Sequence, residues 1–251
     1  MLLELTNACE LRLGQRPTAA AVSMPSRNIV AHQTTPVADL LKTAFSAANL
    51  DYLEIVHYSL FGEPLLYPEN VQLAGHSLGL CQPYTSSDHC LEDDDQLRNL
   101  TSEVYYLVGY YSGALEAIAT TPTALAYGIT PDPYPDYRLG ANARNDNPDE
   151  DFYWQEVRRL LSKPFIRGMI RNPSKIVMYG DHGKDERLTA MVDEIFASFL
   201  GDQDMPTWVE DGVDAVFAGA MGAAEFAKRK PYWGLDVVTE GASVVLPKND
   251  L

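Results

Sequence analysis

Residues 174–228 read as one complete strand, turn, helix, loop and helix unit, with glycines at both turning points. Lys175–Tyr179 is a short apolar, β-branched run of the kind buried on both faces of a sheet, and Gly180-Asp181-His182-Gly183 breaks it at once. After that turn Leu188, Met191, Val192, Ile195, Phe196 and Phe199 recur at helical spacing. The spacing predicts a helix that covers the sheet with one apolar face and leaves Asp193 and Glu194 outside. Asp211-Gly212-Val213-Asp214 then offers capping side chains before a helix over 215–228. Gly219, Gly222 and several alanines in that helix let its backbone approach a neighbour closely.

The remainder supplies elements to pack against this unit. Residues 18–24 end at Pro25 and read as a strand, 37–50 carry Val37, Leu40, Leu41, Ala44 and Ala48 on one helical face, and 52–57 read as a second strand. The order is β-α-β. Residues 83–99 are polar and contain Glu92-Asp93-Asp94-Asp95, which reads as a solvated loop, with cation binding as the competing reading. Residues 104–120 alternate strand formers around Ser112-Gly113, a hairpin signal. Residues 131–148 are rich in Pro, Asp and Asn and predict a long loop, after which Tyr153, Val157, Leu160 and Leu161 describe a helix ending near Pro164.

Charge narrows the partners. Among 251 residues, 19 Lys and Arg face 35 Asp and Glu, a net charge of -16 that repels nucleic acid and anionic membrane surfaces. Cys9, Cys81 and Cys90 are an odd number and too widely spaced for a zinc knuckle, which points to a reducing compartment, and a cytosolic location is expected. No run approaches the roughly 20 apolar residues of a membrane span, and the first residues do not form a secretory leader. The five histidines and the scattered carboxylates show no metal-ligand spacing.

Val177-Met178-Tyr179-Gly180-Asp181-His182-Gly183, followed by a helix and then 213–224, resembles the adenosine-side motif and closing helix of the actin-like ATPase superfamily. The likeness is to its divergent fungal branch, related to the seventy-kilodalton heat-shock chaperones. Ser23-Met24-Pro25, the helix over 37–50, and Gly62-Glu63-Pro64 leading to 78–81 match the order of that family's earlier segments. The resemblance implies an α/β, ribonuclease-H-like fold, with a truncated first lobe over 1–98 packed on a second lobe over 99–251.

The family's phosphate chemistry is what the sequence lacks. The resemblance calls for two glycine-rich hairpins, each opened by an Asp that orients metal and water. The first has no counterpart in the chain. In the second, Gly109 stands at the Asp position and Tyr110-Tyr111-Ser112-Gly113 at the glycine-rich turn. The resemblance therefore implies a protein without ATP hydrolysis, metal or cofactor, whose former nucleotide cleft takes an apolar small molecule. The clamp-less form is similar to the norbornene-forming Diels–Alderases of this heat-shock-like group. Such an enzyme of fungal secondary metabolism folds a terpenoid for an intramolecular [4+2] cyclisation, with aromatic walls and a few hydrogen-bond donors. On that reading Tyr110, Tyr58 and His182 are the donors, Phe61, Tyr111 and Trp154 the walls, and Gly180 and Asp181 contact the substrate.

Two alternatives remain open. One is a pseudo-ATPase that binds nucleotide at 180–183, or a client protein, without turnover. The other is a serine hydrolase, because Gly75-His76-Ser77-Leu78-Gly79 matches the Gly-x-Ser-x-Gly nucleophile elbow. The elbow needs a strand before Ser77 and a helix after it, whereas Pro83 follows closely; the competing reading of 75–79 is the end of a helix. His57 at a strand end, the Asp181-His182 pair and Phe152-Tyr153-Trp154 each have a plain structural reading, as a satisfied histidine, a turn-forming pair and core.

Overall fold

A computed structural model describes residues 2–23, 36–55, 67–80, 82–85, 103–120, 135–166, 173–201 and 205–233. The chain forms α1 (Leu2–Leu13), β1 (Ala19–Ala20), α2 (Pro36–Ala47), β2 (Asp51–Tyr52) and α3 (Pro68–Gly75). After these come β3 (Tyr105–Tyr110), β4 (Leu115–Thr120), α4 (Ala141–Asp146), α5 (Glu150–Ile166), β5 (Lys175–Tyr179), α6 (Glu186–Leu200), β6 (Thr207–Trp208) and α7 (Ala218–Trp233). The class is α/β.

β1 and β2 pair in parallel, with Ala19 opposite Asp51, and α2 crosses between them, so the predicted β-α-β unit forms with shorter strands. The other sheet runs β4-β3-β5-β6. β3 and β4 are an antiparallel hairpin, and β5 and β6 join in parallel.

Alternation along β3 gives the sheet two different faces. Tyr106, Val108 and Tyr110 point to one side, where they pack with Val157 and Leu161 of α5 and Leu188, Ile195 and Phe196 of α6. Tyr105 and Leu107 point to the other, where they meet Val177, Tyr179 and Leu73 of α3. Each fully buried aliphatic or aromatic side chain contributes about 1.5–3 kcal/mol, which is what holds α5 and α6 on the sheet. Five of the six apolar positions predicted for α6 are buried; Phe199 is exposed and stacks on Phe165 with centroids 5.0 Å apart. The α6 N-terminus is capped by Asp185, whose carboxylate accepts from Leu188 N–H at 2.9 Å.

Three sequence expectations change in detail. The loop over 131–148 contains α4, whose first amides are drawn to the hairpin: Ala141 N–H donates to Tyr111 O and Asn142 N–H to Ser112 O, both at 2.9 Å. The last helix begins at Ala218, because Asp214 first closes a turn by accepting from Val216 N–H at 3.0 Å. Residues 2–13, assigned no element from the sequence, form α1, a helix with little amphipathic signal. The acidic run 92–95 lies outside the described residues. Among the described residues no helix is long and apolar enough to cross a membrane.

α7 crosses α3 with almost no space between backbones. A Cβ on Gly222 would stand 1.8 Å from Val71 O, and one on Gly75 2.0 Å from Ala218 O. Val71 and Ala74 of α3 therefore share a core with Ile55 and with Ala223 and Phe226 of α7. The first and last thirds of the chain are joined here.

Residues 75–79 form the C-terminal cap of α3. Leu78 N–H donates to Leu73 O at 2.8 Å and Ser77 N–H to Ala74 O at 3.0 Å, while Ser77 adopts the left-handed φ of 55°. A helix, not a strand, precedes the serine, so the elbow geometry of a hydrolase does not form. A non-glycine residue pays roughly 1 kcal/mol for this conformation. Ser77→Gly is expected to stabilise the protein by about that amount in urea unfolding; a loss of stability would show that the hydroxyl matters there.

Candidate functional site

The hairpin turn, the β5 turn and the entry to α7 converge. Tyr111 N–H donates to Ala114 O at 2.9 Å, leaving Ser112-Gly113 as the loop. Gly180 has φ 99°, and a Cβ there would lie 2.3 Å from Tyr110 O, so only glycine allows the β5 turn to rest on the hairpin. His182 N–H then donates to Tyr110 O at 3.0 Å and Gly180 N–H to Ala215 O at 3.2 Å. Asp181 closes the junction: its carboxylate accepts from Ser112 N–H at 2.8 Å and from the Ser112 hydroxyl.

Beside this junction lies a cavity of about 420 Å³. Its floor and one wall come from Tyr111, Gly180, Asp181 and, on α3, Gln72. Ala21, Val22 and Ser23, which continue from β1, line another side. The small-residue side of α7 and its lead-in, Ala215 to Ala223, completes it. The lining is mostly alanine, glycine and valine, with few polar groups: Ser23, Gln72, Tyr111 and Asp181. Among the described lining residues none is cationic. Lys184, near the glycine turn, is tied to Asp214 at 2.6 Å.

Gln72 is 5% exposed, and its Oε1 has no hydrogen-bond partner among the described residues. A buried unsatisfied carbonyl costs about 1–3 kcal/mol.

Behind Tyr111 sits a buried carboxyl. Gly109 on β3 faces Glu116 on β4, and a Cβ on Gly109 would meet Tyr179 Cε2 at 2.6 Å and Glu116 Cγ at 2.8 Å. The space that a side chain at 109 would fill is thus occupied by Glu116. The Tyr179 hydroxyl donates to Glu116 Oε1 at 2.8 Å, and the Tyr111 phenol lies close enough to act on the same carboxyl. Burial pushes Glu116 up to about 8, against the opposing pull of the Tyr179 and Tyr111 hydroxyls, and the neighbouring Glu69 adds to the rise. At neutral pH this group is an acid holding its proton. Burial likewise raises Tyr111 and Tyr179, which keeps both phenols protonated.

The sequence expectations distribute unevenly over this geometry. Tyr111, Gly180 and Asp181 line the cavity. His182 stands at the junction, with Nε2 3.3 Å from Ser112 Oγ and its ring 5.6 Å from that of Tyr110. Tyr110 is corrected: strand alternation turns it to the opposite face, where its hydroxyl lies 3.0 Å from that of Tyr153 and is buried. Trp154 is corrected for a similar reason, since α5 packs on that far face and the indole lies under Arg144 and Arg187, at 5.0 and 4.5 Å. Tyr58 and Phe61 lie outside the described residues.

Two groups of the site went unread. Glu116 was legible in principle, because counting outward from the Ser112-Gly113 turn places it opposite Gly109, and a glycine inside a strand marks a close approach. Gln72 carried no local signal; it matters because α7 comes to it from far along the chain. A second pair, buried His76 Nδ1 and exposed Asp211 Oδ2 at 2.9 Å, fixes the end of α3 to the loop before α7. Partial burial opposes ionisation of Asp211, but the Val213 amide and His76 hold it below the usual carboxylate range.

Comparison with known proteins finds no matching family model and no matching curated relative.

Proposed function

We propose that the cavity is a binding site for a small, mainly apolar molecule, and that the protein is a cytosolic biosynthetic enzyme which folds a terpenoid there for an intramolecular [4+2] cyclisation. The observation that carries this reading is the cavity itself: its volume falls within the roughly 300–1,000 Å³ of small-molecule sites, with an apolar lining and a few convergent polar groups. It is built from the same turn and helix on which the resemblance to actin-like ATPases rests. We extend that resemblance to a ribonuclease-H-like fold with a reduced first lobe over 1–98 and a second lobe over 99–251.

The chemistry asks for two σ bonds made at the expense of two π bonds within one molecule, so no co-reactant or leaving group is involved. A wall of small residues that holds diene against dienophile removes much of the entropic part of the barrier. A hydrogen bond to a carbonyl conjugated with the dienophile lowers the barrier further. With Tyr110 turned away, Tyr111 is the phenol placed for that role.

The second reading is a pseudo-ATPase, favoured by the position of the cavity against Gly180 and Asp181, where the resemblance places adenosine. Thermal shift separates the two, because a ligand that binds only the folded state raises the melting temperature by mass action. Terpenoid aldehydes are expected to stabilise the protein and Mg-ATP, ADP and adenosine to leave it unchanged. Incubation with a cyclopentadiene-bearing terpenoid enal should then give a cyclised isomer of equal mass, faster with the wild type than with Tyr111→Phe. Stabilisation by adenosine or ADP alone would transfer the site to the second reading.

A further inference from the structure

Gly219 opens the wall of the cavity onto α3. A Cβ there would stand 2.8 Å from Gln72 Nε2 and 3.2 Å from Ser23 Oγ, so the bare glycine leaves these two groups facing the gap, and all three residues line the cavity. Gln72 thus turns its nitrogen to the cavity and its oxygen inward: the residue is 5% exposed, and Oε1 is sealed from solvent. No described residue accepts a hydrogen bond from Nε2. A side-chain amide nitrogen carries two N–H donors, and donors this deeply buried are almost always paired. The missing acceptor is therefore an oxygen that the guest brings.

Asp181 supplies the complementary half. Its carboxylate accepts from Ser112 N–H and the Ser112 hydroxyl, which uses two of about four acceptor positions. It lines the same cavity, and among the described residues no cation is paired with it, Lys184 being held by Asp214. An N–H on the guest can fill a remaining position, whereas a carboxylate on the guest is repelled. An ammonium would satisfy Asp181 but has no oxygen for Gln72. The rest of the lining, mostly alanine and valine, takes an apolar body.

We propose that the cavity selects a neutral carboxamide on a compact apolar body, its carbonyl oxygen accepting from Gln72 Nε2 beside Ser23 and its N–H donating to Asp181. This rests on the reading of the cavity as a binding site and is independent of the reaction assigned to it. Gly219 then determines specificity, because any side chain there displaces the Gln72 amide from the cavity wall.

Adamantane-1-carboxamide, 1-adamantyl methyl ketone and adamantane-1-carboxylate share one apolar cage and differ in the group that this site reads. Titration calorimetry on the full chain is expected to show the carboxamide binding most tightly, with the ketone and the carboxylate each at least about tenfold weaker at neutral pH. Gln72→Leu should weaken carboxamide and ketone alike by about tenfold, since both lose their donor, and should raise the urea midpoint of the free protein by removing an unsatisfied buried amide. Gly219→Ala should reproduce the loss of affinity without loss of stability, because its methyl meets the movable end of Gln72 and alanine is the better helix former. Asp181→Asn should weaken the carboxamide by about tenfold, leave the ketone within about twofold and strengthen the carboxylate. Equal binding of the three compounds, an unchanged carboxamide affinity in both Gln72→Leu and Gly219→Ala, or an Asp181→Asn loss that is the same for every ligand would overturn the ligand class while leaving the cavity as a binding site. Failure of all three compounds to bind would instead overturn the binding-site reading, and the ligand class with it.

Discussion

Glu116→Gln is expected to change stability by no more than about 1 kcal/mol at about pH 5 and to raise it by roughly 4–5 kcal/mol at about pH 9, as read from urea unfolding. The sign follows from the direction of the shift. Glu116 moves from an ordinary 4.5 to about 8 on folding, so between those values the folded chain binds the proton and the unfolded chain releases it. Stability then falls as pH rises through that window, is unpenalised below it, and carries the whole penalty above it. Gln keeps the shape and still accepts the Tyr179 hydroxyl, but it has no proton to lose. Comparing variant with wild type also cancels the surface carboxylates that shift the other way, such as Asp136 beside Arg138 and Glu156 beside Arg159. A gap between the two proteins that stays constant with pH would mean that water reaches Glu116 freely and that the acid behind Tyr111 does not exist.

Gly222→Ala should be the most damaging small substitution in α7. In an exposed helix the same change stabilises by about 1 kcal/mol, because alanine is the better helix former. Here the added methyl would sit 1.8 Å from Val71 O and 2.6 Å from its carbon, both backbone atoms that no rotamer change can move. α7 must shift away from α3, which opens the core of Ile55, Val71, Ala223 and Phe226. A loss of roughly 3 kcal/mol is expected, the upper end for overpacking. Ligand-induced stabilisation should vanish with it, since Gly219, Ala220 and Ala223 on the same helix line the cavity. An unchanged or raised urea midpoint would show that the helices are not held at this distance in solution.

The two variants probe the site from opposite sides. One changes a proton behind the phenol and keeps the shape; the other changes the shape and keeps every polar group. If Glu116 is a buried acid and α7 forms the apolar wall, the first should alter the pH dependence of stability and the second should remove ligand-induced stabilisation.

Much of the scaffold was legible in the sequence because the physics that forms it is local. The run Lys175–Tyr179 was strand by composition, Gly180 was a turn because a positive φ admits few other residues, and the spacing from Leu188 to Phe196 specified which face of α6 is buried. The Ser112-Gly113 hairpin followed from alternation on either side of it. The closeness implied by Gly219 and Gly222 was legible too, though not the partner, since nothing local to α7 names α3. The misplacement of Tyr110 had a single cause: the turn and its two tyrosines were visible, but which of two neighbours faces the cavity depends on which side of the sheet α5 and α6 cover. That was settled by packing. The site proper belongs to tertiary structure for the same reason. Gln72 acquires a role only when α7 arrives beside it, and Glu116 becomes a neutral acid only when burial and two phenols replace water around a carboxylate that in the unfolded chain would be ionised. Periodicity and turn chemistry act within a few residues and can be read along the chain; desolvation and cavity shape arise from contacts between residues distant in it, and exist only once the fold has formed.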